Sequence, residues 1–185
     1  MNITKLLLEN PIIAAVKDFE QLDEALNSQA DVIFVLFGDI ININEISKRI
    51  EKYNKAGVIH IDLVDGLGNK EVALKYIKNS TSFKGIISTK PQMIKYAKKY
   101  GLFAIQRFFI FDTISLGNAK KHILDECDAI EVLPGVVPKV INELSIACKV
   151  PVVAGGLIDT KEEVLLALKS NATCVSTSKK IIWEM

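Results

Sequence analysis

The densest chemical signal lies in two stretches near the carboxyl end, VVAGGLIDTKEEV and CVSTSKKIIW. Gly155 and Gly156 follow one apolar run, and Ser176, Thr177 and Ser178 end the next, just ahead of a short segment of helical pattern. Glycines let backbone amides approach an anion closely, hydroxyls donate hydrogen bonds, and a helix start adds unpaired N–H groups with a positive dipole end. Together these groups suit a phosphate. The plainer alternative is a tight turn followed by a capped helix.

A second cluster, HIDLVDG, places Asp62 and Asp65 at the end of an otherwise apolar run, where carboxylates can orient hydroxyls, accept a proton or hold a cation. His60 shares the strand parity of Asp62 and fits a buried, hydrogen-bonded histidine better than a catalyst. Glu131 in AIEVLPG and the neighbours Gln106 and Arg107 in AIQRFF put polar groups into apolar runs. Alternation sends Gln106 and Arg107 to opposite faces, so that one lines an interior while the other reaches a helix. An acid and a guanidinium in such a wall either neutralise each other or meet a ligand. Lys17 and Lys90, each just past an apolar run, are candidates to face an anion, while Pro134 and Gly135 suggest loop geometry.

Such residues need a scaffold that gathers strand ends. Short β-branched runs recur at 12–16, 32–37, 58–63, 85–89, 103–110, 129–133, 150–154 and 174–178. Helical stripes separate them: Ile43, Ile46, Ile50 and Tyr53; Val72, Ala73, Tyr76 and Ile77; Val164, Leu165 and Leu168. Asn42 with Glu45 and Thr160 with Glu163 have capping-box spacing, and Pro91 and Pro138 suit first helical turns. Strands apolar on both faces and alternating with helices pair in parallel under a helical cover. Eight repeats predict a compact (β/α)8 TIM-type barrel, with an open doubly wound sheet as the alternative. The chain is short for a barrel, which typically needs about 250 residues, so its loops are short. The last segment, KKIIWEM, has length for only about two helical turns. That leaves one flank thinly covered, which invites self-association into a homo-oligomer.

The apolar half of the composition supports a core within one domain spanning 1–185, and no linker or charge block divides the chain. No apolar run reaches membrane-spanning length, and the start lacks a basic leader, so a soluble, cytoplasmic protein without membrane attachment is expected. Cys127, Cys148 and Cys174 form no CxxC pair and suit a reduced core; no metal-ligand spacing and no cofactor motif is present. A formal charge of +1 lacks the basic excess of many nucleic-acid binders, so RNA contact would need a local patch. Two lysine stripes qualify by spacing: Lys48, Lys52 and Lys55, and, with Lys90 leading into it, Lys95, Lys98 and Lys99. A solvated helix face is the plain alternative for both.

Taken in order, HIDLVDGL, GIIST, FAIQRFFIFDT, IEVLPGVVP and PVVAGGLIDT, with TSK near the end, resemble the glycerol-uptake operon antiterminator family over nearly the whole chain. The resemblance implies a compact barrel, glycerol 3-phosphate as effector, and binding to leader mRNA that prevents premature transcription termination. It points to Asp62, Asp65, Ser88, Gln106, Arg107, Asp112, Glu131, Gly135, Gly155 and Gly156 as matching motif positions. An enzyme acting on a phosphorylated metabolite, such as an isomerase, lyase or phosphodiesterase, is the competing expectation. Short loops offer little material for a water-excluding lid, and no acid/base pair has a distinctive spacing, so the regulator is preferred over the enzyme.

Overall fold

Each apolar run becomes a strand of one parallel sheet that closes on itself in sequence order: β1 (Ile12–Val16), β2 (Val32–Val35), β3 (Ala56–His60), β4 (Gly85–Ser88), β5 (Phe103–Phe109), β6 (Ala129–Leu133), β7 (Val152–Gly155) and β8 (Cys174–Thr177). The computed structural model describes residues 3–185. β8 pairs back onto β1, which removes both edges and excludes the open doubly wound sheet. The connections carry α2 (Phe19–Asn27), α3 (Ile43–Lys52), α4 (Glu71–Ser80), α5 (Pro91–Lys99), α6 (Thr113–His122), α7 (Pro138–Ala147) and α8 (Lys161–Lys169). Among the described residues no helix is long and apolar enough to cross a membrane.

Local chemistry accounts for most helix starts. Thr160 and Glu163 form the expected capping box on α8, Asp112 and Ser115 form another on α6, and Pro91 and Pro138 occupy first turns of α5 and α7. Asn42 departs from expectation. Its Oδ1 accepts the Asp39 N–H at 2.9 Å, so it braces the loop before α3 and no capping box forms with Glu45. Two stripes are also rotated from their sequence pattern. Leu74 is buried and Val72 exposed on α4, and Ala167 is buried where Leu165 is exposed on α8, because the sheet surface selects the face.

Two apolar layers result. The larger lies between sheet and helices, and the smaller fills the lumen with Ile13, Phe34, Val58, Ile105, Val153 and Cys174. A helix that the sequence did not suggest, α1 (Ile3–Glu9), inserts Ile3 and Leu7 into the lumen cluster and plugs the amino end of the barrel. After β8 the expected two-turn helix is a single 3₁₀ turn, Lys180–Ile182. The flank is nonetheless sealed: Ile182 and Trp183 are buried, and the indole Nε1 donates to the Thr177 carbonyl at 2.8 Å. The expectation of a thinly covered flank is thereby corrected.

Closure of an eight-stranded barrel staggers neighbouring strands by about one residue each, so inward side chains from alternate strands share a level. Tracing the pairing register around the barrel stacks four such levels. From the amino end they are Val32, Gly85, Ala129 and Cys174; then Ile13, Val58, Ile105 and Val153; then Phe34, Ile87, Glu131 and Ser176; then Ala15, His60, Arg107 and Gly155. The lower two are apolar. Polarity enters only at the upper two, at the carboxyl ends of the strands.

Candidate functional site

The chemistry of the mouth is organised by one buried ion pair. Arg107 Nε donates to Glu131 Oε2 at 2.7 Å, and the Ser176 hydroxyl donates to Glu131 Oε1 at 2.7 Å. Arg107 is 8% exposed and Glu131 1%. A lone buried charge would be costly, so the carboxylate fixes the guanidinium at the lumen top. Only Nε of the Arg107 donors is hydrogen-bonded among the described residues, which leaves both Nη groups to the cavity that Arg107 lines. Of the two alternatives for this acid and base, the pairing is present, and it leaves the Nη donors free of it.

Gly155 earns its place differently from the expectation of close anion approach. A Cβ there would lie 2.6 Å from Glu131 Oε1 and 2.7 Å from Ser176 Oγ, so the missing side chain makes room for the carboxylate and its hydroxyl partner. Gly135 packs against the Gly155 backbone, and its amide donates to the Gly155 carbonyl at 2.6 Å, leaving no amide for a ligand. Gly156 has φ +76°, a conformation that favours glycine, and lines the mouth cavity. Leu157 beside it holds φ +62° while largely exposed, a strained position of the kind that concentrates at functional sites.

The cavity has a volume of about 200 Å³ and lies on the β7–β8–β1 side, with Ala15, Lys17, Arg107, Gly156, Thr177 and Ser178 among its lining. Two hydroxyls of the Ser/Thr cluster are already committed: Ser176 to Glu131, and Thr177 to the Ile158 carbonyl at 2.7 Å. The Ser178 hydroxyl makes no hydrogen bond among the described residues, and the single 3₁₀ turn behind it supplies no helix dipole of consequence. Lys17 is exposed at the rim, and Lys179 lies 3.4 Å from Asp159 across the opening. A larger hollow of about 680 Å³ lies at the opposite end of the barrel, between α1 and the starts of β4 and β5. Its Lys84 and Lys98 are paired with Glu51 and Asp128, and the carboxyl-end cavity, lined by the buried Arg107, is the better binding candidate.

Asp62 is a hub next to this mouth. The Ser88 hydroxyl donates to its Oδ1 at 2.8 Å, the Thr89 amide and hydroxyl donate to Oδ2, and Lys90 Nζ lies 3.8 Å away. Burial pushes the Asp62 carboxyl up, but the Thr89 and Ser88 hydrogen bonds outweigh it and hold the group below its ordinary range. The expected shared parity of His60 and Asp62 fails, because β3 ends at His60 and Ile61–Leu63 is a 3₁₀ turn. His60 remains in the lumen. It is buried, as expected, yet its Nδ1 has no hydrogen-bond partner, which corrects the expectation of a hydrogen-bonded histidine.

The other candidates divide. Gln106 points outward, as alternation allows: its Nε2 donates to the His122 carbonyl and its Oε1 accepts the Leu124 amide, clasping the chain after α6. Ser88 also lies in the outer layer and acts through Asp62. Asp65 is exposed and meets β2's loop through backbone bonds to Gly38 and Ile40, and Asp112 is the α6 cap. The lysine stripes are thinner than spacing suggested. Lys55 is buried, donating to the Ser28 and Ala30 carbonyls, so it leaves the first stripe; in the second, Lys98 pairs with Asp128 and Lys99 with Glu71. Thr89, Leu133 and the Lys179–Asp159 pair were missed, being ordinary residue types placed only by loop geometry. The three cysteines are free, and burial together with Cys148 pushes the Cys127 thiol up to about 12, which makes it a poor nucleophile.

Both the sequence and the barrel have counterparts among known proteins. The family model described as "Glycerol-3-phosphate responsive antiterminator" matches residues 12–183. The chain belongs to that family. Its regulatory nature follows from the family, as expected, rather than the enzyme alternative. The chain is 40% identical over 186 residues to the uncharacterized protein YgcP of Escherichia coli (strain K12), covering 100% of this chain and 97% of that one. Among solved structures it is similar to a glycerol uptake operon antiterminator regulatory protein from Listeria monocytogenes, with TM-score 0.87, 31% identity and 94% of each chain covered. It is also similar to a glycerol uptake operon antiterminator-related protein from Thermotoga maritima, with TM-score 0.85, 35% identity, and 95% and 99% of the two chains covered. A deoxyribose phosphate aldolase from Aeropyrum pernix, at TM-score 0.68 and 16% identity, shares the fold alone.

Proposed function

We propose that this antiterminator-family member senses glycerol 3-phosphate at the barrel mouth and, in response, binds leader mRNA of glycerol-utilisation genes and prevents premature termination. The observation that carries the effector half is Arg107: a buried guanidinium, oriented by Glu131, with both Nη groups uncommitted. Arginine Nη groups match phosphate oxygens bidentately, and a charge-assisted bond in a low-dielectric lumen is stronger than one in water. The Gly156 backbone, the Ser178 hydroxyl and Lys17 complete the anion contacts. No cofactor is invoked.

Binding without turnover is supported by the acids. Asp62 holds three hydrogen bonds and Glu131 two, so both act as fixed acceptors rather than as groups free to shuttle protons. The RNA half rests on the family and on lysines of α5, where Lys90 links Asp62 at the mouth to the helix start. The deciding experiment is a leader-RNA binding titration with and without glycerol 3-phosphate, run beside thermal unfolding with glycerol 3-phosphate, glycerol and inorganic phosphate. A hundredfold excess over Kd stabilises the folded state by about 2.7 kcal/mol. Equal responses to glycerol and glycerol 3-phosphate would overturn the phosphate site, and effector-independent RNA binding would overturn the regulatory link.

A further inference from the structure

Charge is unevenly distributed over the chain. Residues 66–102, which hold α4, β4 and α5, carry eight lysines against one carboxylate, Glu71, a net +7 in a chain whose total is +1, so the other segments together are acidic. The single acid is engaged within the face itself: Glu71 accepts from Lys99 Nζ and from the Tyr100 hydroxyl, which ties α4 to α5. Lys84, Lys90 and Lys98 reach carboxylates of other segments, Glu51, Asp62 and Asp128. Four lysines remain. Lys70, at the start of α4, Lys75 and Lys78 within it, and Lys95 on α5 are all exposed, and none lies within ion-pair distance of a carboxylate among the described residues.

Fold stability does not account for this pattern. A cation suits the end of a helix, where Lys78 sits, but opposes the positive dipole at its start. Lys70 and Lys90 nevertheless occupy the N-cap positions of α4 and α5, and neither side chain makes a cap bond. A merely solvated face mixes both signs, as α3 and α8 do, whereas crowded like charges repel one another until a polyanion neutralises them.

We propose that α4 and α5 together form the RNA-binding face, with the phosphate backbone of the leader RNA crossing Lys70, Lys75 and Lys78 as well as Lys95. This rests on the RNA binding proposed above and adds α4 to it. Lys78 also lines the hollow of about 680 Å³ at the amino end, beside the paired Lys84 and Lys98, so the face continues into a polar recess. The effector cavity lies on the β7–β8–β1 side of the mouth, and the two ligands therefore bind separate surfaces.

Fluorescence anisotropy of labelled leader RNA with the full chain, with and without glycerol 3-phosphate and across a salt series, tests this. One variant carries Lys70→Gln, Lys75→Gln and Lys78→Gln; a second changes the same three positions to Arg. A third, Lys139→Gln with Lys149→Gln and Lys161→Gln, removes equal charge from exposed positions on and beside α7 and α8. Each lost phosphate contact removes about 0.7 from the slope of log affinity against log salt, so the α4 Gln variant should flatten it by about 2 and bind at least about tenfold more weakly at low salt. The Arg variant should match wild type, and the third variant should keep the wild-type slope. Wild-type affinity and slope in the α4 Gln variant, or equal flattening by the third variant, overturns this face while leaving RNA binding standing. Tighter binding of polyglutamate than of leader RNA by wild type assigns the face to an acidic protein and overturns the proposal. Absence of leader-RNA binding by wild type refutes the RNA reading itself, and this face with it.

Discussion

Arg107 and Glu131 are register partners on β5 and β6, and they join by a 2.7 Å hydrogen bond inside the lumen rather than across the helical layer. Removing one member strands the other. Glu131→Leu should therefore destabilise the protein by about 3–5 kcal/mol, read from urea unfolding, whereas the double substitution Arg107→Leu with Glu131→Leu should recover most of that loss. The double variant should no longer respond to glycerol 3-phosphate. If the two single losses simply add, the pair is not coupled as the geometry requires.

Gly155→Ala and Gly156→Ala should separate packing from backbone conformation. At Gly155 the new Cβ meets Glu131 Oε1 and Ser176 Oγ well inside contact distance, so a cost of about 1–3 kcal/mol and loss of ligand binding are expected together. At Gly156 the nearest neighbour is the flexible end of Leu133 at 3.1 Å, and the main penalty is φ +76°, about 1 kcal/mol. Thermal unfolding and ligand titration of both variants check the order. A harmless Gly155→Ala would mean that the carboxylate has room that the structure does not show.

Acid should expose the buried histidine. The free ring has a pKa of 6.5 and the folded one about 4, so between these values the unfolded chain binds more protons and stability falls as pH drops. The loss amounts to something on the order of 3 kcal/mol over that window. Asp62, held below its ordinary value, keeps its contribution above pH 3.8 and loses it only as pH falls through its folded value. His60→Phe should flatten the upper part of the curve of urea midpoint against pH. An unchanged slope between pH 6.5 and 4 would place the ring in water rather than in the lumen.

RNA affinity should report which lysines meet phosphate. Each phosphate contact to single-stranded RNA contributes a slope of about −0.7 in log affinity against log salt. An exposed ion pair is worth only about 0–1 kcal/mol, so Lys99 can exchange Glu71 for RNA, while Lys98 is half-buried in its pair with Asp128 and gives less. Neutralising Lys95, Lys98 and Lys99 together should flatten the slope more than neutralising Lys48 and Lys52, without affecting glycerol 3-phosphate binding. An unaltered slope in both variants would move the RNA surface off these helices.

The alternation of β-branched runs with amphipathic segments determined the eight strands and most of the helices between them, because local propensity and apolar periodicity are properties of consecutive residues, whereas closure of the sheet rests on the pairing of β8 with β1. The capping pair Thr160–Glu163 and the opposite facing of Gln106 and Arg107 were legible for the same reason. Other relationships join residues far apart in sequence. Whether Glu131 meets Arg107 or a ligand depends on strand register, whether Lys55 faces water or the Ser28 carbonyl depends on how the chain turns after α3, and whether Gly155 serves an anion or a carboxylate depends on which strand stands beside it. α1 illustrates the same limit: its few apolar residues gain a purpose only from the lumen that they close. The unpartnered Nδ1 of His60 is the clearest case, since a missing hydrogen bond becomes visible only when every neighbour is in place. The stagger of barrel closure, which no local segment encodes, brought Ala15, His60, Arg107 and Gly155 from four separate strands to one level at the carboxyl end of the lumen.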